Sequence, residues 1–327
     1  MKLLFAGDVM LGRLVNDALE TAPPRYPWGD TMSLFKKADF RFLNLECVIS
    51  DKGTPWVKTP KTFHFRSGEK NIRVLKEAKI DCVSVANNHA LDYSEEAFLD
   101  MLIILKTENI LSAGSGRNIR EAREPAIFEK DGFKIYTFAF TDNEPQWEAG
   151  KAKSGIFYMP TDLTDKRAKN FLKQIDAMKN ERDLFIVSPH WGGNWGYQPP
   201  TEHIVFAHAL VDAGIDIILG TSPHICRGIE IYNKKPIFYS LGNFIDDYTV
   251  NPLEPNDESF VFQVETEGKI VRKIILIPTI IENFQAKLAP KERAEAIMDK
   301  MGDLCHELGT AVKRIDEHLE ISIRNKE

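Results

Sequence analysis

Cysteine is scarce in this chain: there are four in 327 residues, at positions 47, 82, 226 and 305, and none forms a Cys-x-x-Cys pair. That spacing argues against a zinc knuckle and a disulfide framework and predicts reduced, buried thiols. Basic runs are missing too. With a formal net charge of −6 and no short window rich in Lys and Arg, the chain has no electrostatic footprint for nucleic acid, which is excluded as the main partner. No apolar run reaches the roughly 18 residues of a membrane span. The N-terminal "MKLLFAGDVMLGR" meets Asp8 too early for a signal peptide. A cytoplasmic protein without a membrane span is the expectation. Internal repeats and low-complexity tracts are absent, and the glycine-rich "GDVMLG" lacks both the Walker lysine spacing and a full GxGxxG, so it does not support a nucleotide-binding fold.

What is present is a 43% apolar chain, long enough for one large α/β domain or two small ones. Short apolar runs alternate with longer amphipathic segments, the pattern of a sheet with helices packed outside it. Helical spacing marks 68–79, 94–108, 161–180 and 201–213. Further strands are predicted at 132–140 and in the hairpin "SFVFQVETEGKIVRKIILIP", with Glu267-Gly268 as the turn. Beyond 285 the apolar residues Ala294, Ile297, Met301, Leu304, Leu308, Val312, Ile315 and Leu319 recur in steps of three and four, which predicts one amphipathic helix. The division expected is a 1–285 domain and a 286–327 helical extension, docked on its own domain or on a second copy in a homodimer.

Six apolar runs end in polar side chains. "KLLFAGD" closes on Asp8, "FRFLNLE" on Glu46, "DCVSVANNH" on Asn88 and His89, "DLFIVSPHW" near His190, "DIILGTSPH" on His224, and "PIFYSLGNF" near Asn243. Open α/β sheets bind ligands outside the carboxyl ends of their strands, so these tips are predicted to converge. Carboxylate oxygen from Asp8 and Glu46, amide oxygen from Asn88 and imidazole nitrogen from His190 and His224 form a donor set suited to Mn, Fe or Zn. One or two divalent ions, with Glu46 as the bridge and a metal-activated water as nucleophile, is the natural expectation. His89 stands three residues before Asp92, whose carboxylate either orients the ring and favours the imidazolium, making His89 a proton donor, or caps the helix starting near Ser94.

"GDVMLGR", "NLE", "ANNHALDY", "HWG", "GTSPH" with "GIEIY", and "PIFYSLGNF" resemble, in order and spacing, the CapA or poly-gamma-glutamate capsule biosynthesis proteins over residues 1 to about 247. Those are in turn similar to calcineurin-like metallophosphoesterases. The resemblance implies a four-layer αββα sandwich with a dimetal site at strand ends. It implies Asp8 as the first-motif aspartate, Glu46 as the bridging carboxylate, Asn88 and His89 as the Asn-His pair, His190 as the fourth-motif histidine and His224 as the last histidine of the closing motif. Two positions depart from the phosphoesterase pattern: Met10 and Ser222 stand where histidines would ligate, which leaves room for a weakened or single-metal site.

Around the site, Arg66 in "TPWVKTPKTFHFRSG" and Arg13 after the first strand are candidate clamps for an anionic group. "WGGNWGYQPP" brings Trp191, Trp195 and Tyr197 to a candidate rim, and Asn243 joins the substrate-binding set. Two function classes fit. One is a metal-dependent hydrolase of a phosphoester or a glutamyl amide or ester, acting on an anionic small molecule or polymer. The other is a non-catalytic accessory protein of capsule-polymer handling with a degenerate metal site.

Overall fold

The computed structural model describes residues 1–323. Period-two alternation along the strands explains the architecture. In the first strand, Lys2–Val9, Leu4 and Ala6 enter one apolar cluster while Leu3 and Phe5 enter another, on the opposite face. Phe40–Leu45 divides in the same way, with Leu43 and Leu45 on one face and Phe40 and Phe42 on the other. A strand apolar on both faces must be covered on both, and it is.

Among the described residues the first sheet has ten strands, and its parallel centre is Lys2–Val9, Phe40–Leu45, Cys82–Ser84 and Leu111–Ala113. The second has six strands, with Phe133–Thr141, Leu184–His190, Ile217–Leu219 and Lys235–Phe238 running parallel. Ile72–Glu77 and Ser94–Thr107 cover the outer face of the first sheet through Val74, Leu75, Phe98 and Met101. Lys166–Met178 and Thr201–Ala213 cover the outer face of the second through Phe171, Ile175, Phe206 and Leu210. The middle cluster joins Leu3, Phe5 and Phe42 to Leu184, Ile186 and Ile217, sheet against sheet. Three apolar interlayers make four layers, the αββα order expected above. All four cysteines are buried and unpaired, and no helix among the described residues is long and apolar enough to cross a membrane.

Three details differ from the sequence reading. The hairpin Glu258–Glu267/Ile270–Glu282 turns at Gly268-Lys269, one residue later than expected. The C-terminal segment is not one helix: Lys291–Glu307 is helical, Gly309 takes a left-handed φ of 74°, and the chain continues as a hairpin, Lys313–Ile315/His318–Ser322, added to the ten-stranded sheet. Residues 324–327 of the expected extension lie outside the described part. The helix buries Ala294, Ile297, Met298, Met301 and Cys305 against its own chain. Finally, "PIFYSLGNF" is two strands. Lys235–Phe238 belongs to the second sheet, and Asn243–Ile245 crosses to pair with Lys2–Val9 in the first. Gly242 makes this crossing with a φ of 66°, and a Cβ on Gly7 would lie 1.8 Å from the Gly242 carbonyl oxygen, so both glycines are sterically required.

Candidate metal centre

The crossing builds a row of polar residues. In the first sheet Asp8 pairs laterally with Asn44 on one side and Asn243 on the other. In the second, His190 lies between Thr141 and Thr221. Both rows stand at the carboxyl ends of parallel strands, where the sandwich opens. Asn44 links them, its Nδ2 2.8 Å from Asp8 Oδ1 and 3.5 Å from His190 Nδ1.

Asp8, Glu46 and His224 each offer a ligand atom, all within 4.8 Å of one another. Asp8 Oδ2 and Glu46 Oε2 are buried with no hydrogen-bond partner among the described residues. Burial drives the Asp8 carboxyl up to about 7 and Glu46 well above the usual carboxylate range, with Asp8 and Asp246 repelling the Glu46 charge further. Buried acceptors without donors, and like charges without a counter-charge, are the surroundings a divalent cation would satisfy; the residues fit one.

The imidazoles are held differently. His224 Nδ1 is 3.0 Å from Asn243 Oδ1, so that nitrogen donates and Nε2 keeps its lone pair. His190 Nδ1 lies 3.1 Å from Thr221 Oγ1, and its Nε2 lies 3.1 Å from Asn88 Oδ1. Burial lowers the pKa of both rings, keeping them in the neutral form that binds metal.

Beside Asn88, His89 Nδ1 sits 2.6 Å from Asp92 Oδ2, and its ring stacks on Phe65 at 4.0 Å. The helix Ser94–Thr107 has Tyr93 at its N-cap with no side-chain cap, so Asp92 orients the histidine and does not cap the helix. The expected imidazolium is corrected: burial lowers the His89 pKa and outweighs the raising effect of Asp92. Lys61, from the same loop as Arg66 and given no role by the sequence reading, ties this turn together. Its Nζ contacts the Asn88 carbonyl at 2.6 Å, Asp92 Oδ1 at 3.3 Å and Glu144 Oε1 at 3.4 Å.

Three substrate-binding expectations are corrected by geometry. Arg66 does not face the site. Phe65 lines the cavity beside the metal centre while Arg66 does not, and the Arg66 guanidinium lies 4.2 Å over the Tyr93 ring. Trp191 is a core residue, fully buried, stacked on His203 at 4.7 Å and donating to the Tyr239 carbonyl. The exposed rim tryptophan is Trp195, packed edge-on against His224. Asn243 is buried and does not line the cavity; its Oδ1 is engaged by His224, while its Nδ2 has no partner among the described residues. Arg13 does line the cavity, paired with Asp247 at 3.1 Å. Met10 turns into the apolar core, its sulfur accepting the Gly12 N–H, and the Ser222 hydroxyl donates to the Gly192 carbonyl.

Asn44, Asn87 and Asp246 were missed. Asn44 had a signal, since it precedes Glu46 by two residues, the strand period. Asn87 Nδ2 donates to Asn44 Oδ1 at 3.0 Å, and its Oδ1 receives the His89 N–H, fixing the Asn88-His89 turn. Asp246 is buried, with its pKa raised to about 7 chiefly by burial.

Fold and cluster together define a four-layer α/β sandwich with a cation-ready centre at its strand ends. The chain belongs to the family described as bacterial capsule synthesis protein PGA_cap, whose profile matches residues 2–248. It is 31% identical over 244 residues to the PGA biosynthesis protein CapA of Bacillus subtilis, covering 74% of this chain and 62% of that one. It is 30% identical over 253 residues to the capsule biosynthesis protein CapA of Bacillus anthracis, covering 76% and 60% respectively. The match therefore spans about three-fifths of each of these relatives. A solved structure of a hypothetical protein from Thermus thermophilus superposes with a TM-score of 0.50 at 15% identity, covering 84% of this chain and 97% of that one. That likeness concerns the fold.

Proposed function

We propose that this chain is a divalent-metal-dependent hydrolase of capsule or poly-gamma-glutamate type metabolism, acting on a phosphoester or a glutamyl amide or ester. The observation that carries the reading is the set Asp8, Glu46 and His224, with ligand atoms within 4.8 Å of one another and two buried carboxylate oxygens left unpartnered. Asp8, Glu46 and His224 would hold one ion, and Asn88 and His190, joined to them through Asn44, would contribute to a second. An ion there supplies Lewis acidity toward a phosphoryl or carbonyl oxygen.

The chain's own residues do the rest. His89, fixed by Asp92 and by stacking on Phe65, faces the cavity and is placed to move a proton to or from a substrate atom. Lys61 holds the carbonyl of Asn88 and the carboxylate of Asp92 in register. Arg13, stacked over Phe63 and Phe65, offers a planar cation to an anionic substrate group. The second reading, an accessory protein that handles polymer without cleaving it, is favoured by one observation: Met10 and Ser222 both make other contacts and leave the shell thin. Metal analysis after reconstitution with Mn, Fe or Zn, followed by a panel of phosphoesters and glutamyl peptides, separates the two. Near-stoichiometric metal with turnover supports hydrolysis, and absence of bound metal supports the accessory reading.

A further inference from the structure

A cavity of about 570 Å³ opens beside the metal centre, and Asn88, His89, His224 and Tyr248 share its wall. Tyr248 follows the crossing strand Asn243–Ile245 and is held by several contacts. Its N–H donates to Asp246 Oδ1 at 2.9 Å, and its ring lies edge-on to His224 at 5.1 Å and tilted against Phe65 at 5.7 Å. Its hydroxyl is buried yet has no hydrogen-bond partner among the described residues. Leaving a buried hydroxyl unpaired is costly, so the position calls for an acceptor. A tyrosine hydroxyl carries one O–H that it can donate to such an acceptor.

The same region contains the opposite deficit. Asp8 Oδ2 and Glu46 Oε2 are acceptors without donors, and the Tyr248 hydroxyl bonds to neither. A cation would engage the two carboxylates and leave the phenol still unpaired. We infer that Tyr248 touches the substrate, donating its hydroxyl hydrogen bond to an oxyanion, a phosphoryl or carboxyl oxygen, seated against the metal centre. The inference rests on the metal-centre reading above. A neutral donor among carboxylates gives an incoming anion an attractive contact where the surrounding side chains would repel it.

The test compares the full wild-type chain with Tyr248→Phe, which keeps the ring and its packing. Each is titrated with Mn²⁺ by calorimetry, and the Mn²⁺-loaded proteins are then titrated with inorganic phosphate and, separately, with glutarate. The expected result is equal Mn²⁺ affinity and about tenfold weaker binding of at least one probe by Tyr248→Phe. A probe-induced tyrosine absorbance change should appear in the wild type and vanish in the variant. Response to phosphate alone assigns a phosphoryl oxygen, and response to glutarate alone a carboxyl oxygen. Equal probe affinity in both proteins, or failure of the Mn²⁺-loaded wild type to bind either probe, overturns the inference. Loss of Mn²⁺ from Tyr248→Phe alone overturns it as well, because the tyrosine would then be supporting His224. Failure of the wild type to bind Mn²⁺ overturns the metal-centre reading itself.

Discussion

The ten-stranded sheet meets the site with oxygen, from Asp8, Glu46 and Asn88, and leaves two carboxylate oxygens without a donor; the six-stranded side meets it with nitrogen, from His190 and His224, and engages the Nδ1 of each ring. The first half is unsatisfied as it stands, because buried like charges repel one another and water cannot solvate them. The second is already at rest, with neutral rings hydrogen-bonded in place. On the proposed reading the contrast is a division of labour: the oxygen half would supply the drive to bind a cation, and the imidazole half pre-set direction. The two are cross-linked, since the partner that orients His224 is Asn243, carried by the first sheet.

The largest effect expected lies outside both halves. His89→Gln removes the group proposed to move a proton and should lower turnover on an active phosphoester or glutamyl probe by about 100- to 10,000-fold, with Mn²⁺ stoichiometry unchanged. Loss of metal in that variant would make His89 part of the shell and blur the division.

Glu46→Gln tests the oxygen half directly. Mn²⁺ affinity should fall by about 100-fold or more, while the metal-free chain should melt a few degrees higher, because one of the mutually repelling buried groups has gone. Calorimetry and metal-free melting curves report the two signs. A lower melting temperature in the variant would show that this half is not strained.

Asn243→Ala tests the imidazole half by leaving the His224 ring in place but undirected. Losing an orienting hydrogen bond of this kind typically weakens metal binding about 10- to 100-fold, so the expected effect is smaller than for Glu46→Gln. If titration finds it equal or larger, direction matters as much as charge, and the proposed division fails.

Apart from the metal site altogether stands a control on imidazole burial without a cation. His203 stacks on Trp191, with Asp142, Arg227 and Glu202 facing it, and burial pulls its pKa down to about 4. In the unfolded chain it titrates near 6.5. Between those values the unfolded chain binds the extra proton, so the contribution of His203 is fully present above about 6.5 and is lost as pH falls toward 4. Denaturant titrations at pH 7 and pH 4.5 should show the wild type losing about 1–3 kcal/mol relative to His203→Gln over that interval. A pH-independent difference would mean that burial does not hold this ring neutral.

Much of this protein was determined by its sequence. Alternating apolar runs fix which strands are buried on both faces, and polar residues where those runs stop, Asp8, Glu46, Asn88, His190 and His224, mark the crevice, because both signals are local and strictly periodic. The helix starts followed for the same reason, as at Ser94 and Thr201. Tertiary structure alone decided matters set by contacts between distant segments. Trp191 and Trp195 are indistinguishable in a glycine-rich loop, and only the interlayer behind the second sheet draws the first inside while the second stays exposed. Phe65 lines the cavity while Arg66 lies over Tyr93, and the segment after Gly309 became a strand because the ten-stranded sheet had an edge to receive it. Asn243 reached His224 only because the chain changes sheets at Gly242. A period of three and four residues describes a helix equally well whether or not a sheet edge is waiting, since backbone hydrogen bonds can be satisfied either way and long-range packing selects between them.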